Sequence, residues 1–537
     1  MPAVLSVTLA MGALDLARVK ALVTKLQSIE EMAGVDVLCS DKTGTLTENK
    51  IKVGETFTFK AHNNSELLIT AALASDNDNG DTIDLAVLSA LQDKNAMQDN
   101  QQLEFTPFDP ISKRTEATIQ DVSGNRFKVS KGAPQVIMEM CKLDKKESTR
   151  VNQIIENQAS KGYRTLGVAK KSGDDNWQFM GILSLYDPPR EDSKATITAA
   201  ERYGLRVKMI TGDHIAIAKQ IAAQLGLGTN IVSADEIFNG SSDTETSMQK
   251  IEKADGFAQV FPEHKYEIVK ALQSMGHYVA MTGDGVNDAP ALKQADVGIA
   301  VPGATNAARA AAALVLTGHG LSTIVKAIEK ARHIFQRMLS YVIYRITMTL
   351  DIMVFVVLAM IIFNMFPLTA KMIVLLALMD DIPIMAIATD HTYISSKPVR
   401  WKMKKVLTSS GMLGMLALIE TFGLFLLIHY KAPGLLDNIQ TIMFLQLIAS
   451  GHLMLFVTRT EKFFWQKPYP SRLLFLAIII TQILAAIMAG LGLLMSAISW
   501  NVIALIWGYN VIWVLGIGII NGLVNKHWKS QYNIEQV

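Results

Sequence analysis

The sequence predicts a soluble α/β domain that carries an inserted second domain and is followed by a membrane domain of six helices. From residue 35 to residue 301, short β-branched runs alternate with helical patterns, which is typical of a parallel, doubly wound sheet. Between residues 46 and 183 this alternation gives way to the pattern of an antiparallel hairpin, which indicates an insertion. After residue 340, six long apolar runs follow one another, and so many are very hard to bury in a water-soluble protein.

The composition excludes several classes of protein. The chain has 537 residues, of which 50% are hydrophobic and 19% charged, fewer charges than the ~25% of soluble proteins. Its 15 prolines, 35 glycines and two cysteines exclude a collagen-like fibre, a disordered chain and a disulfide scaffold. Cys39 and Cys141 fit a reducing compartment. The net charge of +2 carries no sign of nucleic-acid binding.

Polar side chains follow the strands of the predicted parallel sheet. The first strand, residues 35–40, ends at DKTGTLT (41–47), and later strands end at ITGD (210–213), FPEHK (261–265) and GDGVND (283–288). Because ligands of open α/β sheets bind at the carboxyl ends of the strands, we expect these side chains to meet at one edge. The expected set is Asp41, Thr211, Asp213, Lys265, Asp284 and Asp288.

These residue types suit magnesium-assisted transfer of a phosphoryl group to an aspartate. Mg²⁺ prefers oxygen ligands, usually one or two carboxylates together with phosphate oxygens and waters. A lysine neutralises the charge that grows on the transferred group. Attack of an aspartate on phosphorus gives a covalent aspartyl phosphate.

The inserted block has its own strand signals. TEATIQDVSGNRFKVSKG (115–132) contains two alternating strands around Ser-Gly-Asn, which predicts a β-hairpin. We therefore predict an inserted α+β domain at residues 51–182. The chain is expected to return to the parallel sheet at GILSLYDPPR (181–190).

Six apolar segments are each close to the roughly 20 residues that a bilayer requires. They lie near residues 340–363, 368–389, 408–429, 439–458, 473–497 and 501–524. Basic residues concentrate in the connectors 391–406 and 459–472, whereas the alternate connectors have few. The positive-inside rule therefore places these basic connectors, and the soluble head at 10–337, in the cytoplasm. The first 16 residues are too short to span and are interpreted as the end of a membrane helix, with an amphipathic surface helix as the alternative.

Five motifs in order resemble those of the P-type ATPases: DKTGTLT (41–47), KGAP (131–134), DPPR (187–190), MITGD (209–213) and MTGDGVNDAP (281–290). The segments CSDKTGTLTENK, FPEHKYEIVK and IFQRMLSYVIYRIT are most similar to the plasma-membrane proton-pumping branch. The resemblance covers the chain from the end of the family's fourth membrane helix to its tenth. It implies a phosphorylation domain of the haloacid dehalogenase-like (HAD-like) fold with an inserted nucleotide-binding domain.

The resemblance also implies roles for the residues at the sheet edge. Asp41 would be phosphorylated, and Mg²⁺ would be held by Asp41, Thr43 and Asp284. The phosphoryl group would be contacted by Thr211, Gly212, Lys265 and Asn287. The remaining catalytic residues that the resemblance implies are Lys42, Asp213 and Asp288. Phosphatases of this fold carry a second aspartate where this chain has Thr43, so the aspartyl phosphate is expected to persist.

ATP is expected in the inserted domain. The residues that match the family's nucleotide pocket are Phe108, Lys113, Lys131, Gly132, Arg164, Asp187 and Arg190. The alternative for the basic residues among them is a solvated face.

Ionisable residues inside membrane helices are costly and are hypotheses of function by default. The candidates for transport are Asp351, Asp380 and Asp381, of which Asp381 matches the family's proton-carrying aspartate. Pro383 is expected to loosen the helix beside it. Asp351 stands where the branch carries a basic residue, which leaves open another stoichiometry or another cation. Arg345 lies roughly two helical turns nearer the cytoplasm than Asp351, so we do not expect it to pair with Asp381. For Glu420 and His452 an interhelical hydrogen bond is favoured over transport.

The predicted organisation is a helix end and linker at 1–20, a phosphorylation domain at 21–50 and 183–337, a nucleotide-binding domain at 51–182, a membrane domain at 338–525 and a cytoplasmic tail at 526–537. The implied function is ATP-driven export of a cation, in the first instance a proton, across the plasma membrane. Mg²⁺ and ATP are the implied cofactors, and the lipid bilayer and a separate N-terminal half are candidate partners.

The resemblance further implies that the actuator domain, with its TGE loop, and the first three to four membrane helices are absent. A truncated gene, a frameshift or a split subunit would each explain this. We predict that the chain alone does not pump but accepts phosphate on Asp41. The alternatives are transport of another cation, an inactive half-pump that needs a partner segment, and a membrane-tethered phosphatase.

Overall fold

The computed structural model describes residues 2–48, 50–76, 81–91, 97–173, 175–238 and 244–534. It divides into two compact units, Asp36–Val325 and a second one formed by Met1–Val35 with Lys326–Val537. The strands of the described residues are β1 (Ala21–Val23), β2 (Val37–Asp41), β3 (Lys52–Thr58), β4 (Asn100–Thr106), β5 (Arg114–Asp121), β6 (Arg126–Gly132), β7 (Arg164–Ser172), β8 (Gln178–Tyr186), β9 (Arg206–Ile210), β10 (Ile231–Ser233), β11 (Gly256–Ala258), β12 (Val279–Gly283), β13 (Val297–Ala300) and β14 (Leu314–Leu316).

The α-helices of the same residues are α1 (Pro2–Arg18), α2 (Ser28–Gly34), α3 (Asn64–Leu73), α4 (Thr82–Ser89), α5 (Pro134–Met140), α6 (Lys145–Ser160), α7 (Ser193–Arg202), α8 (Ile215–Leu225), α9 (Ala234–Phe238), α10 (Thr244–Lys253), α11 (Pro262–Ser274), α12 (Ala289–Gln294), α13 (Asn306–Ala311), α14 (Leu321–Phe363), α15 (Ala370–Ile384), α16 (Met403–Lys431), α17 (Ile439–Thr458), α18 (Arg472–Leu491) and α19 (Trp500–Ile534).

The unit Asp36–Val325 contains the predicted parallel sheet. Seven of its strands follow the order β14-β13-β12-β2-β9-β11-β10, so β2 lies between β12 and β9. Both neighbours pair with β2 in parallel, through Val37 opposite Arg206 and opposite Val279. β2 is buried along Val37–Ser40, as expected for a strand covered on both faces. Burial raises the pKa of Cys39 to about 12, so this thiol stays protonated. The predicted doubly wound fold is confirmed.

The second sheet of this unit is antiparallel and has the order β3-β8-β7-β6-β5-β4. β5 and β6 form the predicted hairpin, and Asp121 accepts hydrogen bonds from the Ser123 and Asn125 amides in its turn. The predicted boundary at residue 182 falls inside β8, because the whole of Gln178–Tyr186 pairs with β3 or β7. The segment 181–186 therefore completes the small sheet and not the parallel one, which corrects the sequence-based expectation.

The second unit contains six helices that are long and apolar enough to cross a membrane, among the residues described: Leu321–Phe363, Ala370–Thr389, Met403–Lys431, Pro433–Thr458, Arg472–Leu491 and Trp500–Trp528. α17 is the most buried of them and packs against α16, α18 and α19. These helices match the predicted spans, except that α18 ends at Leu491 and not at residue 497. Gly492 forms the C-cap of α18.

Two terminal segments and one kink complete this unit. α1 is a helix from Pro2 to Arg18, and Leu16 on it is fully buried. α15 ends just after Pro383 and continues as a 3-10 helix, Met385–Thr389, as expected from the proline. α19 extends into the predicted tail as far as Ile534, and residues 535–537 of that tail lie outside the described part.

Candidate functional site

The site is built around Asp41, the last residue of β2. The turn that follows is tight, because Thr43 is extended (φ −74°, ψ 130°) and Gly44 adopts a left-handed conformation at φ 74°. The backbone amide of Asp41 donates to the hydroxyl of Thr282 on the neighbouring β12, at 2.8 Å. The end of the strand is therefore fixed by a side chain from the next strand.

Lys265 joins the two acidic parts of the site. It lies in the first turns of α11, and its Nζ donates to Asp41 Oδ2 at 2.8 Å and to Asp288 Oδ1 at 2.7 Å. Burial lowers the pKa of Lys265, but the two carboxylates more than reverse this, so its pKa lies above the ordinary value. The lysine is therefore a fixed positive charge beside Asp41.

Three carboxylates converge here. One oxygen each of Asp41, Asp284 and Asp288 lie within 4.8 Å of one another. Burial raises the pKa of Asp41 and of Asp284, and the neighbouring carboxylates add to this increase, although Lys265 counteracts it at both. Such a cluster of acids is unfavourable by itself and suits a hard cation, so the residues present fit Mg²⁺.

The two oxygens of Asp288 are already engaged. Oδ1 accepts from Lys265, and Oδ2 accepts from the backbone amides of Asp284 and Gly285 at 3.1 and 3.0 Å. A Cβ on Gly283 would lie 2.5 Å from the Asp288 Cβ, so only glycine fits at the end of β12. Asp288 thus positions this loop, while Asp41 and Asp284 remain the better candidates for metal ligands. Asn287 lies exposed in the same turn.

A second group of predicted residues lies around Asp213. Its backbone amide donates to the Thr211 hydroxyl at 3.1 Å, and its Oδ2 accepts from Lys42 Nζ at 2.7 Å. Its other oxygen pairs with the guanidinium of Arg164. Burial raises the pKa of Asp213, but Lys42 and Arg164 outweigh it and hold that pKa below its ordinary value. Gly212 stands between the two residues, next to the Val260 carbonyl.

A cavity of about 210 Å³ leads from the turn after Asp41 to Arg164. Polar side chains on its wall include Lys42, Thr43, Arg164 and Asp213, and apolar ones include Ile217 of α8. The cavity borders both the turn after Asp41 and the inserted sheet, so a ligand bound in it would contact both.

Asp187 and Arg190 of the DPPR segment hold the loop after the turn. Asp187 accepts from the Thr47 hydroxyl at 2.5 Å and from the Lys50 amide at 3.1 Å. The backbone amide of Arg190 donates to the Leu46 carbonyl at 3.1 Å. Asp187 also lines the cavity beside Tyr186.

The remaining predicted nucleotide residues lie apart from that cavity wall. Lys131 Nζ is buried and contacts Asp84 at 2.6 Å, the Ala74 carbonyl at 2.7 Å and the Ser75 hydroxyl at 2.8 Å. The alternative of a solvated face is therefore wrong for Lys131, because its side chain is only 3% exposed. Gly132 follows it in β6, whereas Phe108 and Lys113 are exposed.

The membrane acids have separate partners. Arg345 Nη1 donates to Asp381 Oδ1 at 3.2 Å, so the expectation that they would not pair is wrong. Asp381 lies in the last turn of the short helix α15. Asp380 Oδ1 lies 3.6 Å from His452 Nε2, and Asp351 Oδ2 accepts from Thr421 at 3.2 Å.

Glu420 and His452 make the favoured interhelical hydrogen bonds. Glu420 accepts from Ser450 at 3.0 Å, and His452 contacts the Met379 carbonyl at 3.2 Å and Gln482 at 2.9 Å. Both residues therefore have packing roles that account for their burial.

The sequence missed two features of the site. Thr282 is one residue of the MTGD segment, and its place beside β2 in the sheet would have indicated the contact with Asp41. The pairing of Arg164 with Asp213 depends on how the inserted domain meets the parallel sheet, for which the sequence has no signal.

The parallel sheet, with an acidic cluster and a lysine at its edge, has the haloacid dehalogenase-like fold. Residues 35–296 match the family model described as haloacid dehalogenase-like hydrolase. Over 523 residues the chain is 49% identical to a protein of Methanocaldococcus jannaschii that is provisionally named a cation-transporting ATPase, covering 96% of this chain and 64% of that protein.

Two fungal relatives are also similar. The plasma membrane ATPase of Kluyveromyces lactis is 40% identical over 535 residues, which cover 97% of this chain and 59% of that protein. Plasma membrane ATPase 1 of Saccharomyces cerevisiae is 40% identical over 537 residues, covering 96% and 58%. This chain is thus related to the P-type cation ATPases, and the resemblance drawn from its motifs is confirmed. It spans roughly three fifths of the length of these relatives.

Proposed function

We propose that this chain is the catalytic and transport portion of an ATP-driven cation pump of a cell membrane that works through an aspartyl phosphate on Asp41. The observation that carries the proposal is Lys265, whose Nζ bridges Asp41 and Asp288 beside Asp284 at the edge of the parallel sheet. The described residues also include six helices able to span a membrane, with buried carboxylates among them.

The proposed reaction begins with attack of an Asp41 oxygen on the terminal phosphorus of ATP. The new bond joins Asp41 to phosphorus, the bond between the terminal phosphorus and its bridging oxygen breaks, and ADP leaves. Lys265 keeps its positive charge next to the transferred group, and Thr211, Gly212 and Asn287 are proposed to contact it. Mg²⁺, held by Asp41, Thr43 and Asp284, would supply charge that favours ionised Asp41 and neutralises phosphate oxygens.

ATP is proposed to enter the cavity between Thr43 and Arg164. The Arg164 guanidinium, which pairs with Asp213 in the structure, is available to phosphate once that ion pair opens. Phe108 and Lys113 are exposed and are proposed as outer contacts of the nucleotide. Lys131 supports the inserted domain from inside through its ion pair with Asp84.

The transported ion is proposed to be a proton, with Asp381 as its carrier and Asp380 and Asp351 as further acids. Support comes from the ion pair of Asp381 with Arg345, which gives the deprotonated carboxylate a counter-ion. Transport of another cation is the second candidate, and it is favoured by the buried carboxyl of Asp351 where the proton-pumping branch carries a base. The basic connectors support a cytoplasmic head in a plasma membrane.

The test is to incubate the purified chain with γ-labelled ATP and Mg²⁺, quench in acid and treat with hydroxylamine. The proposal expects acid-stable, hydroxylamine-labile label that is lost in Asp41→Asn. Asp381→Asn is the matched control, since it should keep the label while abolishing transport by the chain reconstituted with any segment it needs. Label that survives in Asp41→Asn would contradict the assignment of the nucleophile. Transport of another cation, and not of protons, by the unmodified reconstituted chain would favour the second candidate.

A further inference from the structure

The proline in α15 deprives one backbone carbonyl of its usual donor. In an α-helix each amide donates to the carbonyl four residues earlier, and proline has no amide hydrogen to donate. Pro383 lies inside α15, four residues after Met379, so the Met379 carbonyl receives no such bond from it. In a membrane helix a carbonyl released in this way is bonded by a neighbouring helix or lines a site for a ligand.

A histidine of α17 takes the place of the missing donor. His452 is fully buried, and its Nε2 lies 3.2 Å from the Met379 carbonyl oxygen. Because a carbonyl oxygen can only accept, Nε2 must carry the hydrogen. The same nitrogen lies 3.6 Å from Asp380 Oδ1, an oxygen that has no hydrogen-bond partner among the described residues. The N–H of His452 therefore occupies the released carbonyl and lies beside a buried carboxyl.

Gln482 of α18 fixes which ring nitrogen carries that hydrogen. Its Nε2 lies 3.0 Å from the Ile448 carbonyl oxygen and 2.9 Å from His452 Nδ1. The amide must present its NH₂ group here, because an amide oxygen would face the carbonyl oxygen of Ile448. Its second hydrogen goes to Nδ1, which is therefore an acceptor. A hydrogen on Nδ1 would meet this NH₂ group, so the ring is held as a donor through Nε2.

The space around Asp380 is narrow, because α17 has a glycine at this level. A Cβ on Gly451 would lie 3.7 Å from Asp380 Oδ1 and 3.2 Å from Met348 Cε. A metal cation that reached Asp380 would therefore have to shed water and take oxygens of the protein as ligands. A proton needs only one carboxyl oxygen.

We propose that His452 determines ion specificity by excluding metal cations from the neighbourhood of Asp380. The Met379 carbonyl and the Asp380 carboxyl are the oxygens that would replace the water of a metal cation, and both lie next to the N–H of His452. The partly positive hydrogen of this N–H repels a cation at that place, whereas a protonated carboxyl needs no further oxygen ligand. This specificity rests on the proposed function, since it decides which cation the pump accepts.

The experiment measures binding of radioactive sodium, rubidium or calcium ions to the full purified chain in detergent, without ATP. Binding at the membrane site is the part that Asp380→Asn removes, which separates it from binding at Asp41. The unmodified chain should show no such part. His452→Ala frees the Met379 carbonyl and removes the N–H, so its Asp380-dependent affinity for at least one of these ions should rise about tenfold or more. His452→Gln keeps a donor close to the position of Nε2 and should bind no better than the unmodified chain.

Thr441→Val is the matched control. Thr441 is buried on the same helix, and its hydroxyl donates to the Ser496 carbonyl at 2.9 Å. This variant also frees a carbonyl, but eleven residues before His452, or about 16 Å along the helix. It should leave Asp380-dependent binding unchanged. A merely structural role of His452 would lower the melting temperature of His452→Ala without any gain in cation binding.

Two results would overturn the proposal: metal binding by the unmodified chain that is lost in Asp380→Asn, and the absence of a gain in folded His452→Ala. If His452→Ala does not fold, solid-state NMR of the histidine nitrogens in the unmodified chain decides, with His452→Gln used for assignment. A hydrogen on Nδ1 would reject the proposal, and a hydrogen on Nε2 alone would support it. Failure to label Asp41 from ATP would refute the proposed pump and leave these binding results unchanged, so the two failures are distinguishable.

Discussion

Replacement of Lys131 by alanine separates two roles for this residue. Its side chain is 3% exposed and its ammonium contacts one carboxylate and two neutral oxygens within 2.8 Å. Burial lowers the pKa of Lys131, and the Asp84 carboxylate opposes this, so the charge depends on its partner. Lys131→Ala leaves Asp84, itself 5% exposed, without its counter-ion.

Removing one partner of a buried ion pair costs about 3–5 kcal/mol. A domain is stable by only about 5–15 kcal/mol, so the inserted domain should lose a large part of its stability. For a domain of this size the melting temperature should fall by roughly 10–20 °C. Hydrogen exchange of the β5 and β6 amides reports the same loss locally, as an increase in opening of about 100-fold or more.

Lys128→Ala is the matched control, since Lys128 lies on the same strand but is 48% exposed and pairs with Glu116 at the surface. It should cost less than about 1 kcal/mol. The double replacement Lys131→Met/Asp84→Leu should recover most of the stability, because no unpaired charge remains. If Lys131→Ala instead left exchange in β5 and β6 unchanged and weakened ATP binding tenfold, the argument from the buried ion pair would be refuted, and the predicted contact with the nucleotide would stand.

Two further predictions concern the parallel sheet. Gly283→Ala should abolish phosphorylation from labelled ATP, because the added Cβ would lie 2.5 Å from the Asp288 Cβ; normal labelling of a folded variant would contradict this. Glu252 should make the stability of the fold depend on pH. Burial raises the pKa of Glu252, but the Arg206 guanidinium at 2.8 Å helps to lower that pKa overall. The contribution of Glu252 to stability is therefore present above about pH 4.5 and is lost as the pH falls through its lowered pKa in the folded protein. Acid titration of unfolding should therefore flatten in Glu252→Gln, whereas an identical titration would exclude that contribution.

The sequence predicted the parallel sheet and its edge well, because both depend on local patterns. A buried strand followed by a polar loop placed Asp41, Lys265 and Asp284 at the same edge, and the structure brings them together. The six apolar helices of the described residues were predicted for the same reason, since each of them is a long apolar run in the local sequence.

What the sequence could not predict depends on contacts between distant segments. The segment 181–186 has an apolar pattern that suits either sheet, and only its pairing with β3 and β7 decides between them. Lys131 was expected at a ligand, yet its environment is set by Asp84 on another element. The pairing of Arg345 with Asp381 depends on the relative position of α14 and α15, for which neither segment has a local signal.

The inserted domain enters through β3 and leaves through β8, and these two strands are direct neighbours, with Lys52 opposite Tyr186. Opposite residues of antiparallel strands are only about 5 Å apart at their Cα atoms, a gap that two turn residues can close. The whole insertion could therefore be exchanged for a short hairpin without displacing either point of attachment. The parallel sheet with its acidic edge is therefore a module that can accept unrelated domains at this point, because each insertion closes only one small loop.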